Sequence, residues 1–281
     1  MSETTLNAST SKLIARYLPF IALLAVYAPA LYDLVRDWAQ DDNYSHGFLV
    51  PIVSGWLLWQ KRAKLKSAAQ AIDRTGLALV IMGGVLFVLG NGGAEFFTMR
   101  VSFVVMLFGL IWYLFGRAVV RLAWFELAFL FFMVPIPYVI YFALTFPMQL
   151  LASKITAGTL SAIGMEIHRQ GNILHLAGGI SLEVAEACSG MRSLVSLLAL
   201  GALYAYMTQK RTSGKIILFL ATIPIAVIAN IFRVFVTALL ATTVSAGITT
   251  EPWHSLMGMS VFVVSFVLLF ILGAILKAVF K

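Results

Sequence analysis

Apolar runs of membrane-spanning length constrain this chain more than any other feature. A hydrocarbon core about 30 Å thick is crossed by about 20 helical residues. Stretches that approach or meet that length are read at residues 17–35, 47–60, 76–94, 101–116, 122–140, 189–208, 216–240 and 256–276. The second and fourth are short and need flanking residues to complete a span. Composition agrees: 61% of the residues are apolar and 11% are charged, against about 45–50% and about 25% in a soluble domain. Twelve acids and twenty bases cannot clothe a soluble fold of this size. The expected architecture is an all-α integral membrane protein, one polytopic domain over residues 1–281 with about eight transmembrane helices. The polar N-terminal stretch has no apolar run followed by a small-residue cleavage site, so no removable signal peptide is expected.

Basic residues set the expected orientation, because Lys and Arg collect in cytoplasmic loops. With the N-terminus inside, Lys12, Arg16, Lys61, Arg62, Lys64, Lys66, Arg74, Arg117, Arg121, Lys210, Arg211, Lys215, Lys277 and Lys281 are cytoplasmic, fourteen of the twenty. Both termini are then expected in the cytoplasm. Asp37, Asp41, Asp42, Glu95, Glu166, Glu183, Glu186 and Glu251 fall on the outer side. The net charge of +8 is dispersed between apolar runs, which reports topology and gives no nucleic-acid stripe. Residues 141–188 read as an extracytoplasmic excursion, with an interfacial amphipathic helix whose apolar face is interrupted by Pro147, Gln149 and Lys154. A small β-hairpin follows, residues 171–176 and 180–184 about Gly178-Gly179, and no other β structure is expected.

Three residues at the expected outer boundary carry chemistry. Cys188, the only cysteine, precludes an intramolecular disulfide and a cysteine zinc cage. It stands where the 189–208 helix begins, in Glu186-Ala187-Cys188-Ser189-Gly190-Met191-Arg192. Unpaired backbone N–H groups and the positive end of a helix dipole favour thiolate there. Arg192 at i+4 works in the same direction and Glu186 against it. A small buried apolar cysteine is the equal alternative on these residues alone. Arg233 lies inside an apolar run, where a charge costs at least about 2.5 kcal/mol on insertion scales and usually faces a functional cavity. Snorkelling to the interface competes with that reading, and Asn230 at i−3 makes a polar stripe that favours a site. His254 occupies the loop before the last helix. Together the three supply a nucleophile, an oxyanion ligand and an acid/base, although spacing alone does not make them meet.

The same residues carry a resemblance to the exosortase/archaeosortase family of membrane transpeptidases. Ala187-Cys188-Ser189-Gly190 with Arg192, Asn230-Ile231-Phe232-Arg233, and the histidine before the final helix are similar, in order, to the family's cysteine, arginine and histidine motifs. Asn43-Tyr44-Ser45-His46-Gly47-Phe48-Leu49-Val50-Pro51, leading to Trp59 and a basic loop, resembles the start of bacterial exosortases. The resemblance implies an inner-membrane cysteine enzyme that processes exported proteins bearing a C-terminal sorting tail of the PEP-CTERM type. It implies Cys188 as nucleophile, Arg233 as transition-state ligand and His254 as acid/base. The acceptor would be an unidentified amine or water, with no cofactor and no nucleic-acid partner.

Arg192 is an alternative oxyanion ligand or a partner of Glu186, and His46 either lines the pocket or starts a helix with a satisfied hydrogen bond. His168 and His175 lack matched carboxylates for a metal site. Glu126 is expected to reach the cytoplasmic interface or to pair with Arg121. A transporter, for which Pro135, Pro137 and Pro224 would break helices, or a scaffold for envelope polysaccharide export is the competing reading. The transporter lacks a visible repeat between halves and enough intramembrane charges for an ion path, and the scaffold leaves Cys188 and Arg233 without a task.

Overall fold

A computed structural model of the protein describes residues 3–184, 191–249 and 253–280. Five helical segments are long and apolar enough to cross a membrane: Arg16–Gln40, Phe96–Phe115, Tyr138–Ala162, Thr212–Thr243 and Leu256–Val279. Gly76–Gly92 and Leu194–Thr208 are shorter apolar helices. The described residues fall into two compact units, Met1–Ile136 and Pro137–Lys281.

In the first unit α1 (Glu3–Gln40) leads through a 3-10 turn (Asp42–Phe48) into α2 (Leu49–Gln60) and the short basic α3 (Arg62–Ser67). Helices α4 (Gly76–Gly92), α5 (Phe96–Phe115) and α6 (Arg117–Phe129) follow. α4 and α5 form the tightest pair because glycines recur every seven residues along α4, at Gly76, Gly83 and Gly90. A methyl group on Gly90 would stand 2.6 Å from the backbone nitrogen of Met99, and one on Gly109 of α5 would stand 2.6 Å from that of Val80. Backbone thus meets backbone along the seam, the close approach that small residues permit between membrane helices.

α1 runs antiparallel to α5. Arg16 Nη2 donates to the Leu114 carbonyl at 3.1 Å, the Tyr27 and Ser102 hydroxyls bond at 2.7 Å, and Arg100 pairs with Asp37 at 2.7 Å. These pairs give polar groups inside the apolar bundle partners that lipid could not supply. Glu126, fully buried on α6, pairs with Lys61 at 2.7 Å, so its partner is Lys61 of the basic loop and not the expected Arg121.

In the second unit α7 (Tyr138–Ala162), α8 (Met191–Thr208) and α10 (Trp253–Val279) all pack on α9 (Thr212–Thr243). Tyr141 of α7 belongs to the core cluster that holds Ile225 and Ala226, whereas Ala152 and Leu160 share a second cluster with Val234, Ala238 and Ala241. That grouping sets α7 parallel to α9. A three-stranded antiparallel sheet, β1 (Ile167–Gln170), β2 (Ile173–Leu176) and β3 (Ile180–Glu183), follows α7. It presses Leu174, Leu176 and Leu182 into the second cluster. Gly178 and Gly179 take φ of 79° and 76°, the left-handed region that favours glycine, in the turn between β2 and β3.

Several segments differ from the sequence reading. The expected span at 122–140 is interrupted: α6 ends at Phe129, a 3-10 turn covers Leu130–Met133, and Val134 is extended at φ −87° and ψ 120°. Pro135 and Pro137 explain the break, since each removes an N–H donor and disfavours helix in the residue before it. Residues 47–60 hold only the 12-residue α2. The helix expected to lie in the interface within 141–188 is the 25-residue Tyr138–Ala162, which contains Pro147 and is long and apolar enough to cross a membrane. Gln149 does not break its apolar face, because the side chain is buried inside the unit at 2% exposure. The strand β1 was not expected. It pairs His168 with His175 and Ile167 with Leu176.

The α4–α5 seam yields a direct test. Gly90→Leu should lower the unfolding temperature in detergent by several degrees, corresponding to about 1–3 kcal/mol of overpacking. Gly84→Ala, whose added methyl meets only the flexible end of Met106 at 3.7 Å, should leave it unchanged.

Candidate functional site

Arg233 and Asn230 lie on one face of α9, three residues apart, and are 5% and 3% exposed. Side-chain burial this complete on an apolar helix excludes snorkelling as the reason for Arg233. The guanidinium lies against Gly258 of α10: a methyl added there would meet Nη2 at 3.8 Å, an ordinary van der Waals contact. His254 precedes Gly258 by one helical turn. Because α10 begins at Trp253, His254 stands in the first turn of that helix and not in the loop expected before it.

Arg192 is the second residue of α8. Cys188 and Glu186 lie outside the described residues. The strand leading toward them is firmly held. Val184 is fully buried in the cluster that contains Val234, the residue after Arg233. Its N–H donates to the Asn172 carbonyl at 2.9 Å, and its carbonyl accepts from Asn172 Nδ2 at 3.3 Å.

Asn172 also reaches α7, donating from Nδ2 to Gln149 Oε1 at 3.3 Å. Gln149 belongs to a buried polar stripe with Thr145, Ser153 and Thr156. The sequence reading missed this stripe by treating Gln149 as a flaw in an apolar surface. The 145, 149, 153, 156 spacing was the available signal, since it places polar residues on one helical face. Ser153 anchors the sheet by donating to the Gly171 carbonyl at 3.0 Å.

His46 lies in the first unit, half-buried in the 3-10 turn, with Nε2 3.1 Å from the Phe132 carbonyl. Burial holds its imidazole below the usual histidine range, and hydrogen bonds to the Phe132 and Asn43 backbone only partly oppose that. His168 and His175 stack across β1 and β2 with ring centroids 6.3 Å apart, and His175 Nδ1 lies 2.9 Å from the Ser181 hydroxyl. Among the described residues no group of three or more His, Cys, Asp or Glu could hold a metal ion.

The sequence profile of the transmembrane exosortases matches residues 38–271, most of the chain. The chain belongs to the transmembrane exosortase family. That span takes in Cys188, Arg233 and His254 alike, as well as both units of the fold. Membership supports a membrane transpeptidase of the exosortase kind, acting on protein substrates with sorting tails. No curated protein and no solved structure matches the chain.

Protonating His46 would charge a desolvated ring, so the unfolded chain takes up its proton at higher pH than the folded one. Stability should fall as pH drops below about 6.5, the unfolded value, toward the depressed folded value. Thermal unfolding in detergent between about pH 7 and about pH 5 should show a steeper loss for wild type than for His46→Gln.

Proposed function

We propose that this exosortase is a cysteine peptidase and transpeptidase that removes a C-terminal sorting tail of the PEP-CTERM type at the periplasmic face of the bacterial inner membrane. Cys188 thiolate attacks the carbonyl carbon of the scissile peptide bond, and the electron pair of that carbonyl moves onto oxygen. Arg233 stabilises the resulting oxyanion by charge-assisted hydrogen bonds. His254, having taken the thiol proton, returns it to the leaving amine as the carbon–nitrogen bond breaks. The thioester that remains passes its acyl group to an amine or to water, whose proton goes to His254, and Cys188 leaves as thiolate.

The observation that carries this reading is the burial of the Arg233 guanidinium within the apolar helix α9. Such a cost is met where developing negative charge must be neutralised. Two packing relationships support bringing the other residues to it. Val184, four residues before Cys188, shares a core cluster with Val234, and four residues of chain reach about 14 Å at most. Gly258, four residues after His254, is the floor beneath the guanidinium. The preponderance of Lys and Arg in the segments between Lys61 and Arg74 and between Lys210 and Lys215 supports cytoplasmic termini and a site facing the opposite side.

Co-expression with a tailed reporter tests the chemistry. Intact-mass analysis should show loss of the tail with wild type and none with Cys188→Ala; equal processing by both would remove Cys188 as nucleophile, and processing by neither would favour a transporter or scaffold. Arg233→Lys keeps the charge but loses the fork of donors, and should slow processing by about 10²–10³-fold. Because Cys188 is the only cysteine, a membrane-impermeant maleimide reads orientation without background. Labelling of spheroplasts should be complete before permeabilisation; labelling only afterwards would reverse the orientation.

A further inference from the structure

Gln149 of α7 and Asn230 of α9 are each at least nine-tenths buried, and each keeps one polar atom without a hydrogen-bond partner among the described residues: Gln149 Nε2, a donor, and Asn230 Oδ1, an acceptor. Buried polar groups are paired in the great majority of cases, and an orphan asks for an explanation. The bond from Asn172 occupies Gln149 Oε1, which leaves the donor end of that carboxamide as the available one.

The two orphans lie on helices that pack together. Tyr141 of α7 groups with Ile225 and Ala226 of α9, and Ala152 groups with Val234. Along these parallel helices Gln149 therefore falls level with the turn that carries Asn230. Asn230 is one turn before Val234 and three residues before Arg233.

A peptide group presents the complementary pair, a carbonyl acceptor and an N–H donor on one rigid plane. We propose that Gln149 and Asn230 form a seat for one backbone amide of an extended substrate segment beside Arg233. Gln149 Nε2 donates to its carbonyl oxygen, and Asn230 Oδ1 accepts from its N–H. The seat reads backbone and not side chain, so it positions a neighbouring bond over the catalytic residues while tolerating varied sequence. This rests on the peptidase reading and names two residues that would bind its substrate.

The test is a backbone-ester scan. A synthetic tailed peptide is made with single peptide groups replaced by esters, one position at a time around the cleaved bond, and turned over by the full-length protein in detergent. An ester removes the N–H and weakens the carbonyl acceptor. One position should raise KM by about tenfold with wild type, the loss of a hydrogen bond that leaves its buried partner unsatisfied. The same ester should cost Asn230→Leu less than about twofold, because the acceptor is already gone. Gln149→Met, close in shape but without the donor, should raise KM for the all-amide peptide by about tenfold, with kcat within about threefold. A flat scan with wild type, as expected if the two carboxamides instead bond each other or a water, overturns the seat and needs no variant to fold. So does a wild-type KM for Gln149→Met. Cleavage that persists in Cys188→Ala overturns the peptidase reading itself. A protein that turns over no tailed peptide overturns both.

Discussion

A guanidinium enclosed by apolar helices is the constraint on which the second unit depends. Arg233 is 5% exposed, and a charge without water needs packed neighbours that leave space for it and polar groups that answer it. Gly258 on α10 is one such packed neighbour. Asn230 adds a polar neighbour one turn away on the same face. Around this point α9 gathers α7, α8, α10 and β3, so the helix that bears the charge is also the one on which the unit is built. The sheet serves the same end. Its buried leucines and Val184 close the cluster around Val234, Ala238 and Ala241, fixing the chain at Val184, four residues before Cys188, against the helix that holds Arg233.

The first unit solves the related problem of polar groups in an apolar bundle by pairing them internally. Arg100 with Asp37 and Lys61 with Glu126 are ion pairs with one partner almost fully buried, 6% exposed for Arg100 and 0% for Glu126. Removing one partner of such a pair costs more than the pair contributes, because the other charge stays behind. Trp38 Nε1 donates to the Met133 carbonyl at 2.9 Å and the Tyr44 hydroxyl to the Ile136 carbonyl at 3.2 Å. The carbonyls in this proline-interrupted stretch thus find side-chain donors in place of helical N–H groups.

The membrane class and the exosortase family were legible from composition and from three short strings around Cys188, Arg233 and His254. Helices α1, α5, α9 and α10 followed from apolar length, which depends little on tertiary context. Length failed where tertiary packing decides. Pro135 and Pro137 cut an apolar run that composition alone read as continuous, while Pro147 sits within α7 without ending it. Gln149 looked like an interruption because a lone polar residue in an apolar stretch does not announce whether it faces lipid or protein. Arg233 stood out in the sequence because its cost in lipid is independent of the fold. Gly258 and Asn172, which surround the site, carry no charge and no apolar period, and only the packed structure gives them meaning.

The seven-residue spacing of glycines on α4 has a mechanical result. A helix turns about 100° per residue, so a slip of one position against α5 would swing the glycine row out of the seam. Gly76 would give way to Leu77 where Trp112 and Tyr113 leave no room. The two helices can therefore exchange registers only in steps of about seven residues, roughly 10 Å of travel at 1.5 Å per residue. Over ordinary thermal displacements the pair has a single engaged position, like a ratchet with one tooth in reach.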